Sequence, residues 1–186
     1  MSEYDFDLHF RLTAPDEDPE SHLGRLLEEE CDDSTVGVGR RGHIWLGFGR
    51  DAASASEAIF SAIAAVQRAV PGARLLVVGP DLVGLTDVGE LLGCSRQNVR
   101  QLVFDGEPDP PIAVYSGHTN LWHLADLLTW LREKKRYPVS DELLDLAEVN
   151  RQVNLFVESR HIQPAVQDEI RAVLAEDRLL REVSAR

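Results

Sequence analysis

Apolar and polar residues alternate from the fourth position onward. Tyr4, Phe6, Leu8, Phe10 and Leu12 fall on one side, and Asp5, Asp7, His9 and Arg11 on the other. A period of two sends successive side chains to opposite faces, so residues 4–12 predict a half-buried strand. A Pro/Asp loop follows. Asp18 or Ser21 can then cap a helix reaching about Cys31, with Leu23, Leu26 and Leu27 inward. Residues 35–39 and 42–49 predict a hairpin turning at 40–42, its second strand carrying His43, Ile44, Trp45, Leu46 and Phe48. Ser54 or Ser56 starts an amphipathic helix with Ile59, Phe60, Ile63, Val66 and Val70 on one face, and Pro71-Gly72 ends it. Residues 73–78 form a short, continuously apolar strand. The order β-α-β-β-α-β over residues 1–80 predicts a ferredoxin-like sandwich, with two helices on one face of an antiparallel sheet. That architecture names no function by itself.

Gly79-Pro80-Asp81 breaks the pattern and opens a second predicted domain, residues 81–136. Thr86 is placed to cap a short helix over 87–92, Gly93 to make a sharp turn, and Ser95 to cap a second helix over 96–104. Val88, Leu92, Val99 and Leu102 supply the contacts between the two helices, and Gly89 lets them approach closely. The outer face of the second helix carries Arg96, Gln97, Asn98, Arg100 and Gln101. Arg can pair with guanine O6 and N7, and Asn or Gln with adenine N6 and N7. Arg96, Gln97 and Arg100 are therefore expected to read bases, and Asn98 and Gln101 to touch bases or phosphates. The Ser95 hydroxyl and the helix N-terminal amides suit a phosphate. A solvated polar face on an ordinary helical hairpin is the plainer alternative.

After a proline-rich connector, residues 112–115 and 120–122 flank the turn-forming Ser116, Gly117, His118 and Thr119, which predicts a two-stranded ribbon. Leu124, Leu127, Leu128 and Leu131 mark a helix ending in Arg132, Lys134, Lys135 and Arg136, expected to clamp phosphates. The stretch from DVGELLGCSRQNVRQL through the ribbon to LWHLADLLTWL resembles the MerR-like and phage-excisionase-like winged helix-turn-helix domains over residues 82–136. The resemblance implies a recognition helix in the major groove. It places Ser116, His118, Thr119 and Asn120 at a wing tip near the backbone or minor groove, and Asp126 and Trp130 in the supporting helix. Wings of that group often carry Arg or Lys at the tip, where this chain has Ser-Gly-His-Thr. Its connector holds Asp105, Glu107 and Asp109. A protonated His118 would strengthen a phosphate contact, and a neutral polar turn residue is the alternative.

Residues 137–186 predict two more helices, over 140–160 and 164–183, separated by a break at 161–164. The first holds Leu143, Leu144, Leu146, Ala147, Val149, Val153, Leu155, Phe156 and Val157, too apolar for a lone surface helix. The second spaces Val166, Ile170, Val173, Leu174, Leu180 and Val183 at helical intervals. A homodimer seam is expected here, with capping of the winged domain in a monomer as the alternative.

Charge changes this picture in one respect. The formal net charge is -13, which argues against indiscriminate coating of nucleic acid. It is unevenly spread: 7 Lys/Arg against 15 Asp/Glu in residues 1–81, 6 against 7 in 82–136, and 6 against 10 in 137–186. The predicted DNA-binding segment is thus the least acidic. Cys31 and Cys94 form no metal-ligand or disulfide spacing. The glycines of VGVGRRGHIWLGFGR lead into a strand and lack the following helix that a phosphate loop needs. His9, His22 and His43 are scattered. No nucleophile with a base, no carboxylate pair at defined spacing and no metal cluster is seen, so neither an enzyme nor a cofactor is expected. No apolar run reaches the roughly 18–20 residues of a membrane span, and the acidic N-terminus lacks the basic region of a secretory signal. A cytoplasmic, nucleoid-associated protein is expected.

The leading expectation is a sequence-specific regulator that binds double-stranded DNA as a homodimer, its N-terminal domain sensing a ligand or recruiting a partner protein. The alternative is an interaction adaptor or antitoxin-like protein, in which the acidic stretches EEECDD and PDEDPE cover a basic partner.

Overall fold

The computed structural model describes residues 1–105 and 107–184, with side chains through Leu174. It is a mixed α+β structure with one four-stranded antiparallel sheet. Strand β1 (Ser2–Arg11) lies inside the sheet because every second residue is apolar: Tyr4, Phe6, Leu8 and Phe10 are buried. It pairs on one side with β3 (His43–Ala52) and on the other with β4 (Arg74–Gly79), and β2 (Ser34–Gly37) pairs with β3. The strand order is β2-β3-β1-β4, with antiparallel neighbours throughout. Helix α2 (Ala55–Ala69) packs on β1 and β3, and the short α1 (Leu23–Glu28) packs on α2.

The helix starts are chosen by local chemistry. Asp18 accepts from Glu20 N and opens a 3-10 turn at Pro19–His22, ahead of α1. Ser54 accepts from Glu57 N and caps α2. Three expected core residues face water. Phe60 is 55% exposed, because the buried stripe of α2 is Ala55, Ala58, Ile59, Ala62, Ala65, Val66 and Ala69. Alanines let the helix lie close to the sheet, and Phe60 is rotated about 100° from Ile59. Leu23 and Leu27 are 36% and 66% exposed because α1 stops after six residues and seats Leu26 alone. β4 is not buried on both faces either. Leu75 and Val78 point inward and Leu76 and Val77 outward, around a register shift at His9/Phe10.

The helix-free face of the sheet is polar and includes Asp7. Burial raises the Asp7 carboxyl above its ordinary range, and nearby His9 pulls it down by less. A carboxyl raised on folding destabilises the fold when ionised. The penalty is absent in acid and complete at neutral pH. Asp7→Asn should therefore raise the Tm at pH 7 by about 2 °C and leave it unchanged near pH 3. Thermal melts at the two pH values check this, and a lower Tm at pH 7 would contradict it.

The chain leaves the sheet at Gly79 and enters β5 (Leu82–Val83), α3 (Leu85–Leu91) and α4 (Arg96–Phe104). β5 pairs with β6 (Trp122–His123), which runs into α5 (Leu124–Glu133). The wing differs from the expected ribbon. Residues 112–115 and 120–122 are joined by an antiparallel bridge between Tyr115 and Leu121, with Val114 N also donating to Leu121 O, and form no longer ladder. Trp122 belongs to the β5 pairing instead, because its indole is buried and its neighbour His123 is held by Asp81.

Valines and leucines of α3, α4 and α5 form one core with Trp122: Val88, Val99, Val103, Leu124, Leu127, Leu128 and Leu131. Burying one such side chain contributes about 1.5–3 kcal/mol, so the segment has a substantial core of its own. Helix α6 (Asp141–Ser159) adds Leu144 and Ala147 to it.

Packing divides the chain into two units, residues 1–154 and 155–186. In the first, α6 fastens the exit from the sheet. Asn154 accepts from Val78 N and donates to Val78 O and Asp81 Oδ2, each at 2.8 Å. Asn150 donates to Pro80 O at 3.0 Å, and the second Asp81 oxygen takes His123 Nδ1 at 2.8 Å. Asp145 on the same helix accepts from Ala55 N at the start of α2. The second unit contains α7 (Pro164–Ser184). Leu155 and Phe156, expected to be buried, are 53% and 66% exposed, and Val166, Ile170, Val173 and Leu174 are also exposed. The side chains of Leu180 and Val183 lie outside the described residues. Among the described residues no helix is long and apolar enough to cross a membrane.

Candidate nucleic-acid interface

Helix α3 begins two residues earlier than its sequence suggests. Gly84 is the N-cap, and the Asp87 carboxylate accepts from Gly84 N at 2.7 Å, so Thr86 lies inside the helix. Gly93 makes the turn at φ +63°, a conformation that side chains resist. Gly89 is set by contact. A Cβ there would stand 2.8 Å from the Cys94 carbonyl oxygen, a backbone atom that cannot swing away. Ser95 then caps α4, accepting from Asn98 N at 3.2 Å. Val99 and Val103 anchor the inner face.

The outer residues of α4 do not share one surface. Arg96, Arg100 and Phe104 follow one another at helical intervals along the side facing the wing. With Gly84–Asp87 and residues 117–122 they line a cleft of about 600 Å³, which brings Arg96 and Arg100 opposite His118, Thr119 and Asn120. Gln97 is exposed near the crest of the helix. Asn98 and Gln101 line the opposite flank, with Lys135 and Tyr137. The expected set thus divides into a cationic side toward the wing and an amide side toward the end of α5.

Both cleft arginines are exposed. The Arg100 guanidinium sits over the Phe104 ring at 5.6 Å, and that ring meets Trp122 at 6.2 Å. Trp122 Nε1 donates to Pro111 O and ties the connector to the core. Asp87 is the one carboxylate among the residues lining this cleft. Phe104 and Asp87 were not in the expected set. Phe104 was legible, standing eight residues after Arg96 on the same helical side.

The basic run after α5 is partly engaged within the protein. Arg132 pairs with Asp141 at 2.7 Å. Lys135 lies over the Trp130 ring at 5.2 Å and donates to Asp105 O and Glu107 O. Lys134 and Arg136 are exposed, Arg136 at φ +54°. Asp126 on α5 is paired with Arg151. Among the described residues no three His, Cys, Asp or Glu side chains converge as a metal-holding group. No family model, curated protein or solved structure matches the chain.

Proposed function

We propose that this protein is a sequence-specific DNA-binding regulator acting as a homodimer, built as a ferredoxin-like sandwich followed by a winged helix-turn-helix. One observation carries the reading: α4 presents Arg96 and Arg100, exposed and without an ion pair among the described residues, into a cleft closed by the wing residues His118 and Thr119. Arginines held on the side of a short, Ser-capped helix suit bidentate contact with guanine in a major groove. The sheet order β4-β1-β3-β2 with both helices on one face supports the sandwich half of the description. The exposed stripe Val166, Ile170, Val173 and Leu174 supports a seam between two copies, which would set two α4 helices on one palindrome.

Fluorescence anisotropy tests this, with the duplex upstream of the protein's own gene against a scrambled duplex of equal composition. A preference of at least about tenfold is expected, with affinity falling as salt rises at a log-log slope of about -4, for some two phosphate contacts per protomer of a dimer. Equal affinity for both duplexes would overturn the reading. Sedimentation at micromolar concentration should give a dimer, and a monomer would remove the seam.

A further inference from the structure

The acidic stretches most prominent in the sequence are partly paired within the fold. Glu17 pairs with His22, Asp18 with Arg41, Glu29 and Glu30 with Arg68, and Asp33 with Arg50. A separate group of unpaired carboxylates stands together on the helix-free face of the sheet. β1 sends Glu3, Asp5 and Asp7 outward, and β3 sends out Asp51 directly opposite Glu3. Among the described residues none of these four forms an ion pair. Like charges directly across a strand pair oppose each other, so the face stores repulsion that a cation would relieve.

The shape of this face is as specific as its charge. Asp5 stands opposite Gly49, and Asp7 stands between Gly47 and Gly79. Three positions without side chains thus clear a trough around two carboxylates. At its end the Trp45 ring lies down over Gly37 and Gly47, where an added Cβ would come within 3.0 and 2.8 Å of the indole. Trp45 remains 37% exposed, while Trp122 and Trp130 are buried. Helix α3 borders the far side with Asp87 and Glu90, giving a groove of about 870 Å³. Beyond Trp45 the face carries His9, Arg11 and His43 in place of carboxylates. The acidic end is thus a bounded patch with an aromatic wall, and an aromatic face attracts Lys and Arg as carboxylates do.

We propose that this sheet face, from Trp45 across Asp7 and Asp5 to Glu90 of α3, is the docking site of a lysine- or arginine-rich segment of a partner protein. Extended segments place alternate side chains about 6.8 Å apart on one side, which matches the spacing of Asp5 and Asp7 along their own strand. The proposal goes beyond DNA binding and does not depend on it, since it uses none of Arg96, Arg100, His118 and Thr119; Asp87 alone borders both grooves.

The test uses the full chain without DNA and a fluorescein-labelled ten-residue peptide alternating Lys and Ala, at 150 mM salt. Saturable binding is expected, accompanied by a change in tryptophan emission that Trp45→Phe abolishes. Asp5→Asn/Asp7→Asn should weaken binding at least tenfold. Asp16→Asn/Glu28→Gln removes the same two charges from exposed positions elsewhere and should weaken it less than twofold. The asparagines relieve repulsion, so a cooperative melt with an undiminished Tm separates lost binding from lost folding. Equal weakening by both double variants would reduce the effect to the net charge of the chain and overturn the site, as would the absence of binding. Displacement of the peptide by equimolar spermine would assign the trough to a small polyamine and overturn the polypeptide partner.

Discussion

Arg96→Ala/Arg100→Ala is expected to lower affinity for the preferred duplex by roughly thirtyfold to twenty-five-thousandfold while leaving the fold intact. Each bidentate arginine–guanine pair is worth about 1–3 kcal/mol of discrimination, so losing two removes about 2–6 kcal/mol if they act independently. Neither side chain is needed by the fold. Arg96 has no hydrogen bond or ion pair among the described residues, and Arg100 gives up a single stacking contact with Phe104. Affinity for scrambled duplex should fall much less, because phosphate contacts from Lys134, Arg136 and the α4 N-terminus persist. The measurement is anisotropy on both duplexes, with a thermal melt as control. A parallel fall on both would show that the arginines bind phosphate and read no base. An unchanged affinity with an unchanged melt would move the interface away from α4.

Asn154→Leu should destabilise the protein by about 4 kcal/mol, although the two side chains have the same branching and the same number of heavy atoms. Asn154 is 5% exposed and satisfies three groups at once: the N–H and C=O of Val78 and one oxygen of Asp81. Leucine offers none of these bonds. A buried polar group left without a partner costs about 1–3 kcal/mol, more when it is charged, and entering water relieves part of the sum. The damage centres on residues 78–81, where the chain leaves β4 for β5 and α3. Asp81 would keep His123 but lose the partner of its second oxygen. Urea unfolding gives the value directly. A loss below 1 kcal/mol would show that these hydrogen bonds are replaced by water at no cost, and that α6 does not hold this joint.

Much of the fold was legible because its causes are local. Alternation in residues 4–12 predicts β1, and Ser54 and Ser95 predict the starts of α2 and α4 through a hydroxyl that accepts a backbone N–H three residues on. Gly93 marks the turn between α3 and α4 because its backbone is left-handed there. Other features were misread where two residue types fit the same local pattern. Phe60 suits the apolar face of α2 as well as Ala58 does in a helical projection, and only the closeness of the sheet favours alanine. Thr86 is a good cap by type, yet Asp87 reaches back to Gly84 and starts the helix earlier. The wing was drawn as a hairpin between neighbouring segments, whereas β6 pairs with β5 some forty residues upstream.

The candidate DNA-facing cleft was also partly readable. Arg96 and Arg100 belong together at a spacing of four, but the presence of His118 and Thr119 across from them, and of Asn98 and Gln101 on the other flank, depends on where the wing folds back. The acidic sheet face shows the same division. The sequence alone determined that Asp5 and Asp7 point away from the core, because the period of a strand leaves no other side for them. It could not determine which carboxylates stay unpaired, since ion pairs join residues such as Asp33 and Arg50 that meet only when β2 lies beside β3. Nor could it reveal Asn150, Asn154, Asp81 and His123 as one network, for these residues approach through the packing of α6 against the end of β4. Backbone periodicity and capping act over a few residues and are written in the chain. Charge pairing, clefts and buried polar partners act between segments distant in sequence, and only the tertiary structure decides them.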